Sequence, residues 1–327
     1  MSTKPGGATD YGTTGPGDPG DVVDPVDPVD VAVAVLRLGG LVGMPTETVY
    51  GLAADASNAI AVERIFAVKG RPRDHPLIVH IGDARELRRW AADVPAPAVV
   101  LATACWPGPL TLLLAKAEHV LSEVTGGRHT VGLRVPAHPV ALALLDRFGG
   151  GLAAPSANRF GQVSPTTAAH VRSDLGDEVD FVLDGGASPI GVESTIVDCT
   201  VDPPQILRPG GITDEVVAEL LDGALETASG VRRTSGMLAS HYAPRCRVEV
   251  RSSLATANER ADALRGEGRS VDILDPTPDL VVAARELYNW LRDADRRGLD
   301  TLVAVLPPPV GLGHAIRDRL MKAAGLG

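Results

Sequence analysis

The stretch Leu41-Val42-Gly43-Met44-Pro45-Thr46-Glu47-Thr48-Val49-Tyr50-Gly51-Leu52 opens with apolar residues and stops them with a proline. Such a run reads as a short buried strand, since proline cannot donate to a ladder. It delivers Thr46, Glu47 and Thr48 to the strand's end. Just upstream, Val31 to Leu38 reads as a helix stopped by Gly39-Gly40. Downstream, Ala59 to Val68 is helical, with Ile60, Ile65 and Val68 as its apolar stripe, and Pro76 to Ile81 is a buried strand. A helix follows at Ala84 to Ala92. Strands are expected at Leu110–Leu114, Thr130–Val135, Gly151–Ala154, Phe181–Leu183, Thr195–Asp198 and Gln205–Arg208, with helices at 139–148, 166–174 and 213–221. The mixture predicts a layered α/β domain around a mixed sheet.

The chain ends on a cleaner alternation. Strand Arg247–Val250, helix 254–265, strand Val271–Leu274, helix 279–297, strand Leu302–Leu306 and helix 312–324 make a βαβαβα string. It predicts a small three-layer, Rossmann-like domain with a parallel sheet and helices on both faces. Gly311-Leu312-Gly313 follows its last strand, but Ile316 occupies the third-glycine position of a dinucleotide fingerprint. A turn at a helix start fits better. Four segments result: an acidic Pro/Gly tail at 1–30 expected to be disordered, an α/β domain at 31–215, a polar linker at 216–247, and the small domain at 248–327.

Charge is distributed unevenly over the 327 residues. The net charge is −10, and residues 1–30 contribute one Lys against six Asp. Residues 31–215 hold 15 basic and 20 acidic side chains, and the remainder 15 of each. A protein that holds nucleic acid through its overall field needs a basic surplus, so tight nucleic-acid binding is not expected. Cys105, Cys199 and Cys246 lie far apart with no C-x-x-C, which predicts a reducing, cytoplasmic setting. The sequence shows no signal peptide and no apolar run long enough to span a membrane.

No phosphate-binding G-x-x-x-x-G-K-[ST] loop, G-x-S-x-G elbow or metal-spaced histidine pair is present. What remains is a set of polar residues at the ends of buried strands, where open α/β sheets bind ligands. Each has a plain alternative. Lys69, Arg71 and Arg73 also suit a solvated helix end, and Thr48 and Ser156 suit turns or caps. His80 also suits a satisfied core histidine, and Glu47 and Glu193 suit structural partners of arginines.

Taken together the motifs are specific. Met44 to Leu52, Lys69-Gly70-Arg71-Pro72, Pro76 to Ile81, Trp106-Pro107-Gly108-Pro109-Leu110-Thr111, Pro155-Ser156-Ala157-Asn158 and Gly191-Val192-Glu193-Ser194-Thr195 resemble the YrdC-like family in order and spacing. Ser240-His241-Tyr242-Ala243-Pro244 and the C-terminal unit resemble its long, two-domain form, the threonylcarbamoyl-AMP synthases. The resemblance covers roughly residues 31–327. It implies a YrdC-like twisted mixed sheet and a nucleotidyltransferase that joins L-threonine, bicarbonate and ATP into threonylcarbamoyl-AMP and pyrophosphate. A downstream transferase complex would then use that product to modify tRNA.

The resemblance also implies roles for residues. Lys69, Arg71, Ser156 and Asn158 fall in a tetrad around the triphosphate, and His75, Thr130, Ser164, Arg208 and Tyr242 at further nucleotide positions. Thr48, His80, Arg134, Ala154 (through its backbone) and Ser194 fall at threonine positions. A bidentate Arg134–carboxylate pair would orient the amino acid. Mg²⁺ is expected on the ATP phosphates, with no metal cage from the protein.

Two departures stand out. His75 replaces the family's usual Asn, and the linker lacks the basic residues that usually precede the His-Tyr-Ala-Pro motif. The linker is expected to act as a lid over the crevice. Two competing readings remain at this point: carbamoyl transfer from carbamoyl phosphate, and a non-catalytic module that binds RNA by shape.

Overall fold

The computed structural model describes residues 27–227 and 242–326. Residues 1–26 of the expected tail and 228–241 of the expected linker, with the lid assigned there, lie outside the described residues. In chain order the large domain holds α1 (Pro28–Arg37), β1 (Val42–Met44), β2 (Gly51–Asp55), α2 (Ala59–Lys69), β3 (Ile78–His80), α3 (Leu87–Trp90), α4 (Ala96–Cys105), β4 (Leu110–Ala115) and α5 (Ser122–Thr125). It continues with β5 (Thr130–Arg134), α6 (Pro139–Phe148), β6 (Leu152–Ala153), α7 (Ala168–Leu175), β7 (Phe181–Val182), β8 (Thr195–Asp198), β9 (Gln205–Arg208), α8 (Asp214–Leu220) and β10 (Glu226–Thr227). Short 3₁₀ turns precede α3 and follow α7.

Its sheet has ten strands in the order β10-β9-β8-β4-β5-β3-β6-β2-β1-β7. Parallel and antiparallel pairs mix, as expected: β3 runs parallel to β5, whereas β4 runs antiparallel to it. Side chains alternate faces along a strand. Leu52 and Ala54 of β2 therefore enter one apolar core, with α2 and α4, and Ala53 enters another with α1 and α6. A sheet covered on both faces keeps its central strands out of water.

Several expected boundaries change for local reasons. Helix α1 begins at Pro28 instead of Val31, so residues 28–30 of the expected tail are helical. Asp27 caps this helix by accepting from Val29 N at 2.9 Å, and proline suits the first helical turn. Arg147 on α6 then ties Asp27 and Asp30 down. In α2 the apolar stripe runs through Ala61, Val62, Ile65, Phe66 and Val68, while Ile60 lies exposed. Asn58 caps that helix and Gly70, at φ 63°, ends it in a left-handed turn. The expected helix at 84–92 divides into a 3₁₀ turn and the single turn α3. The division at 215/216 falls inside α8, which packs on α4, while β10 adds a further strand beside β9.

The small domain contains β11 (Arg247–Arg251), α9 (Leu254–Gly266), β12 (Val271–Leu274), α10 (Leu280–Arg296), β13 (Thr301–Val305) and α11 (Gly313–Ala323). Its parallel sheet has the order β11-β13-β12. Helix α9 covers one face with Ala257, Ala261 and Leu264. Helices α10 and α11 cover the other. The Gly311–Gly313 turn is occupied from the large domain, because Gly311 N donates to Glu215 at 2.9 Å. That contact favours the plain turn over a phosphate loop.

The domains share a core. Val49, Val163 and Val192 of the large domain pack with Leu287, Tyr288 and Ile316 of the small one. Arg292 of α10 clamps Asp174 with two bonds, at 2.9 and 2.5 Å, and also donates to Val163 O. No helix among the described residues is long and apolar enough to cross a membrane. The three cysteines are buried free thiols.

Gly191, at φ 80°, permits a close approach between the domains: a Cβ there would lie 2.4 Å from Arg285 Cα on α10. Gly191→Ala would place a side chain in an unfavourable backbone region and against another backbone. It should lower the unfolding free energy by about 1–3 kcal/mol, read from urea denaturation midpoints. An unchanged midpoint would contradict this close approach.

Candidate active site

Strand register builds the floor of the site. Ile78 and His80 on β3 lie two apart and so share a face, and Arg134 on β5 pairs with His80. Thr111 opens β4, next to β5, and its hydroxyl lies 2.8 Å from that of Ser194. Strand β8 runs antiparallel to β9, so Ser194, just before β8, meets Arg208 at the end of β9. Arg208 donates to Ser194 O through Nε at 3.2 Å and Nη2 at 2.8 Å, and Nη2 also reaches Ser194 Oγ.

Walls come from loops. The β1–β2 loop supplies Thr46, Thr48 and Val49. The segment after β6 supplies Ala154, Pro155 and Ser156, and the turn after α2 supplies Arg71. Glu193 and Tyr242 complete the lining. The cavity encloses about 540 Å³ of atom-free space, counting its mouth.

Two halves differ in chemistry. At one end sit Thr48, His80 and Arg134. The hydroxyls of Thr46 and Thr48 lie 2.9 Å apart, and Thr46 donates to Val49 O. His80 is buried, and burial first, then the charge of Arg134, lowers its pKa to about 3. Its ring is therefore neutral, and Nδ1 has no partner among the described residues. Arg134 is equally buried and lies 2.7 Å from Glu47 Oε1, while its Nε donates to Gly108 O. The plain reading of Glu47 as an arginine partner holds. The expected carboxylate fork of Arg134 is thus partly taken, with Nη2 in an ion pair with Glu47 and Nε bonded to Gly108 O.

At the other end sit Arg71, Ser156, Arg208 and Tyr242. Arg71 donates to His75 O at 3.3 Å and Pro76 O at 3.0 Å, and its guanidinium lies 5.8 Å from the Phe160 ring centre. Burial, with a contribution from Arg208, lowers its pKa to about 10, so it stays charged. Ser156 Oγ donates to Asn158 Oδ1 at 2.5 Å.

Not every expected residue lines this cavity. Lys69 lies beneath the Ser156–Asn158 loop, where Nζ donates to Ser156 O at 2.5 Å and Asn158 O at 2.6 Å. Burial, then the charge of Arg71, pushes its pKa well down. Asn158 is buried and donates to Arg159 O and Gln162 O. His75 packs edge-on against Phe160 behind Arg71. Thr130 begins β5, four residues before Arg134. Ser164 is fully buried and donates to Glu193 Oε1 at 2.7 Å. Lys69, His75, Thr130, Asn158 and Ser164 all lie outside the lining of this cavity. Thr46, one of the strand-end residues read from sequence, lines the cavity, and Thr111, which is not one of them, supports Ser194 from outside the lining.

Among the described residues no group of three or more His, Cys, Asp or Glu could hold a metal ion. Both acidic side chains at the cavity are engaged, Glu47 with Arg134 and Glu193 with Arg319.

Two family profiles match the chain. One, described as "Telomere recombination" and named for Sua5, YciO and YrdC, matches residues 34–210. The other, described as the C-terminal domain of threonylcarbamoyl-AMP synthase, matches residues 212–325. The chain belongs to the Sua5/YciO/YrdC family. It has the two-domain Sua5 form of that family. The threonylcarbamoyl-AMP synthase of Pyrococcus abyssi is 40% identical over 321 residues, covering 90% of this chain and 93% of the relative. That of Bacillus subtilis is 39% identical, covering 90% and 92%. The crystal structure of P. abyssi Sua5 complexed with L-threonine superposes with a TM-score of 0.87 at 39% identity, covering 91% of this chain and 94% of that one.

The neutral His80 has a consequence for stability. Its folded pKa lies below the ordinary value of 6.5, so the unfolded chain binds more protons between pH 6.5 and about 3. Stability from this group is present above pH 6.5 and is lost as pH falls through that window. It contributes a slope of about 1.4 kcal/mol per pH unit between pH 6 and 4. His80→Gln should flatten a urea-stability profile over that range by about this slope. An identical slope in the variant would refute the neutral assignment.

Proposed function

We propose that this protein is a threonylcarbamoyl-AMP synthase, joining L-threonine, bicarbonate and ATP and releasing pyrophosphate. The observation that carries the reading is a single cavity in which Thr48, His80 and Arg134 share the lining with Arg71, Ser156 and Arg208. It occurs in a chain 40% identical, over 90% of its length, to a synthase of that name. The L-threonine in the P. abyssi Sua5 structure supports an amino-acid substrate.

On this reading Thr48, His80, Arg134, Ser194 and the Ala154 backbone receive threonine, its carboxylate meeting the Arg134 guanidinium. Arg71, Ser156, Arg208 and Tyr242 receive ATP. Lys69 and Asn158 act one layer back by fixing the Ser156 loop, and His75 and Ser164 support Arg71 and Glu193. Mg²⁺ belongs to the substrate, carried on the ATP phosphates.

The chemistry has two steps. The threonine ammonium first releases a proton; the free amine nitrogen then bonds the carbon of bicarbonate, the C–OH bond breaks, and hydroxide leaves as water with a second proton from nitrogen, giving a carbamate. A carbamate oxygen then bonds the α-phosphorus of ATP, the bond to the β-phosphate oxygen breaks, and pyrophosphate carries off the electron pair. Positioning and charge neutralisation suffice for such a step, without a covalent nucleophile. The product would pass to a downstream transferase complex that modifies tRNA. The free buried thiols support a cytoplasmic setting.

Mass spectrometry should detect threonylcarbamoyl-AMP when purified protein meets the three substrates. Arg71→Ala should cut kcat/KM by about 100-fold, as the loss of one preorganised charge donor does elsewhere. Normal pyrophosphate release in both Arg71→Ala and Lys69→Ala would overturn the assignment.

A further inference from the structure

Glu193 sits at the seam between the domains with its carboxylate out of water. Oε2 takes Arg319 Nε at 2.8 Å and the Tyr288 hydroxyl at 2.7 Å, both from the small domain. Oε1 takes Ser164 Oγ from the large domain. Arg319 on α11 has no solvent exposure at all. Its Nη1 donates to Pro209 O at 2.9 Å and to Asp318 at 2.6 Å. Its guanidinium carbon lies 5.2 Å from the centre of the Tyr242 ring, and Tyr288 lies 5.7 Å from that ring on a tilted stack.

Arg319, itself outside the lining, therefore touches three segments that bound the cavity. Glu193 precedes Ser194, Pro209 follows Arg208, and Tyr242 is itself a wall. Tyr242 has φ 61°, a conformation that a non-glycine residue holds only when its surroundings over-determine it. Arg319 and Tyr288 provide such surroundings. A buried ion pair is weak evidence for stability, since apolar replacements of similar volume are often as stable. Three contacts converge on the border of one cavity, two of them at the nucleotide residues Arg208 and Tyr242, and geometry explains them better.

We infer that Arg319 is a positioning residue for the nucleotide half of the site, through which the C-terminal domain sets Arg208 and Tyr242 for ATP. This rests on the synthase reading above. Of the threonine-site residues, those on β3 and β5 receive no contact from Arg319, and Ser194 is reached only through its neighbour Glu193.

The test is isothermal titration of the full chain with MgATP and, separately, with L-threonine. Arg319→Met should weaken ATP affinity at least about tenfold, as a small misplacement of binding groups does. Threonine affinity should stay within twofold of wild type. Arg319→Lys, keeping the charge but not the fork, should fall between. Because Arg319→Met leaves Glu193 unpaired, the double variant Glu193→Gln/Arg319→Met removes both charges and keeps the test independent of folding. It too should bind ATP weakly and threonine normally. Wild-type ATP affinity in either Met variant, or equal weakening of both ligands, would overturn the inference alone. A wild-type chain that binds no ATP would overturn the synthase reading with it.

Discussion

A carboxylate taken out of water stays ionised only when charges and donors replace its hydration. Glu193 meets that condition by drawing on both domains. Burial alone would raise its pKa, yet Arg319 and Arg208, with bonds from Tyr288 and Ser164, hold it at about 2. Much of the site follows from this one constraint. The carboxylate cannot be satisfied unless α10 and α11 dock, and docking brings the Gly191–Ser194 loop against α10. Ser194 is then in place to accept from Arg208, and Tyr242 is held between Tyr288 and Arg319.

The arrangement also reconciles the acidic chain with a triphosphate substrate. The net charge is −10, but the nucleotide half gathers Arg71 and Arg208 on a surface from which Lys69 is withdrawn. In the threonine half the acid is Glu47, held against Arg134. Local placement overrides the sum, because a desolvated charge a few ångströms away outweighs many screened ones at the surface.

Much of the fold was legible from sequence wherever apolar β-branched runs met clear stops. Thr195–Asp198, Gln205–Arg208 and Val271–Leu274 occur as read, and the βαβαβα order of the small domain holds throughout. Strand β2 was missed because Gly51-Leu52-Ala53-Ala54-Asp55 has no β-branched or aromatic residue, and its pairing with β1 and β6 decides it. Helix α4 was missed because its first turn carries a proline and no side-chain cap. The start of α1 hid in an Asp-Pro-Val repeat whose Asp27-Pro28 is a helix-start signal. At the candidate site, the motifs bring residues to one cavity but do not say which of them line it. Lys69 and Asn158 belong behind the cavity, since only tertiary contacts reveal that their polar atoms are consumed by backbone. Arg319 could not be read at all, because its partner lies 126 positions away.

The most direct measurement is a crystal structure of the chain with L-threonine and a non-hydrolysable ATP analogue. The account predicts both in the one cavity, threonine against Thr48, His80 and Arg134, and the phosphates against Arg71, Ser156 and Arg208 beneath Tyr242. A nucleotide bound elsewhere, such as the cleft lined by Arg159, Arg245 and Arg296, would contradict it.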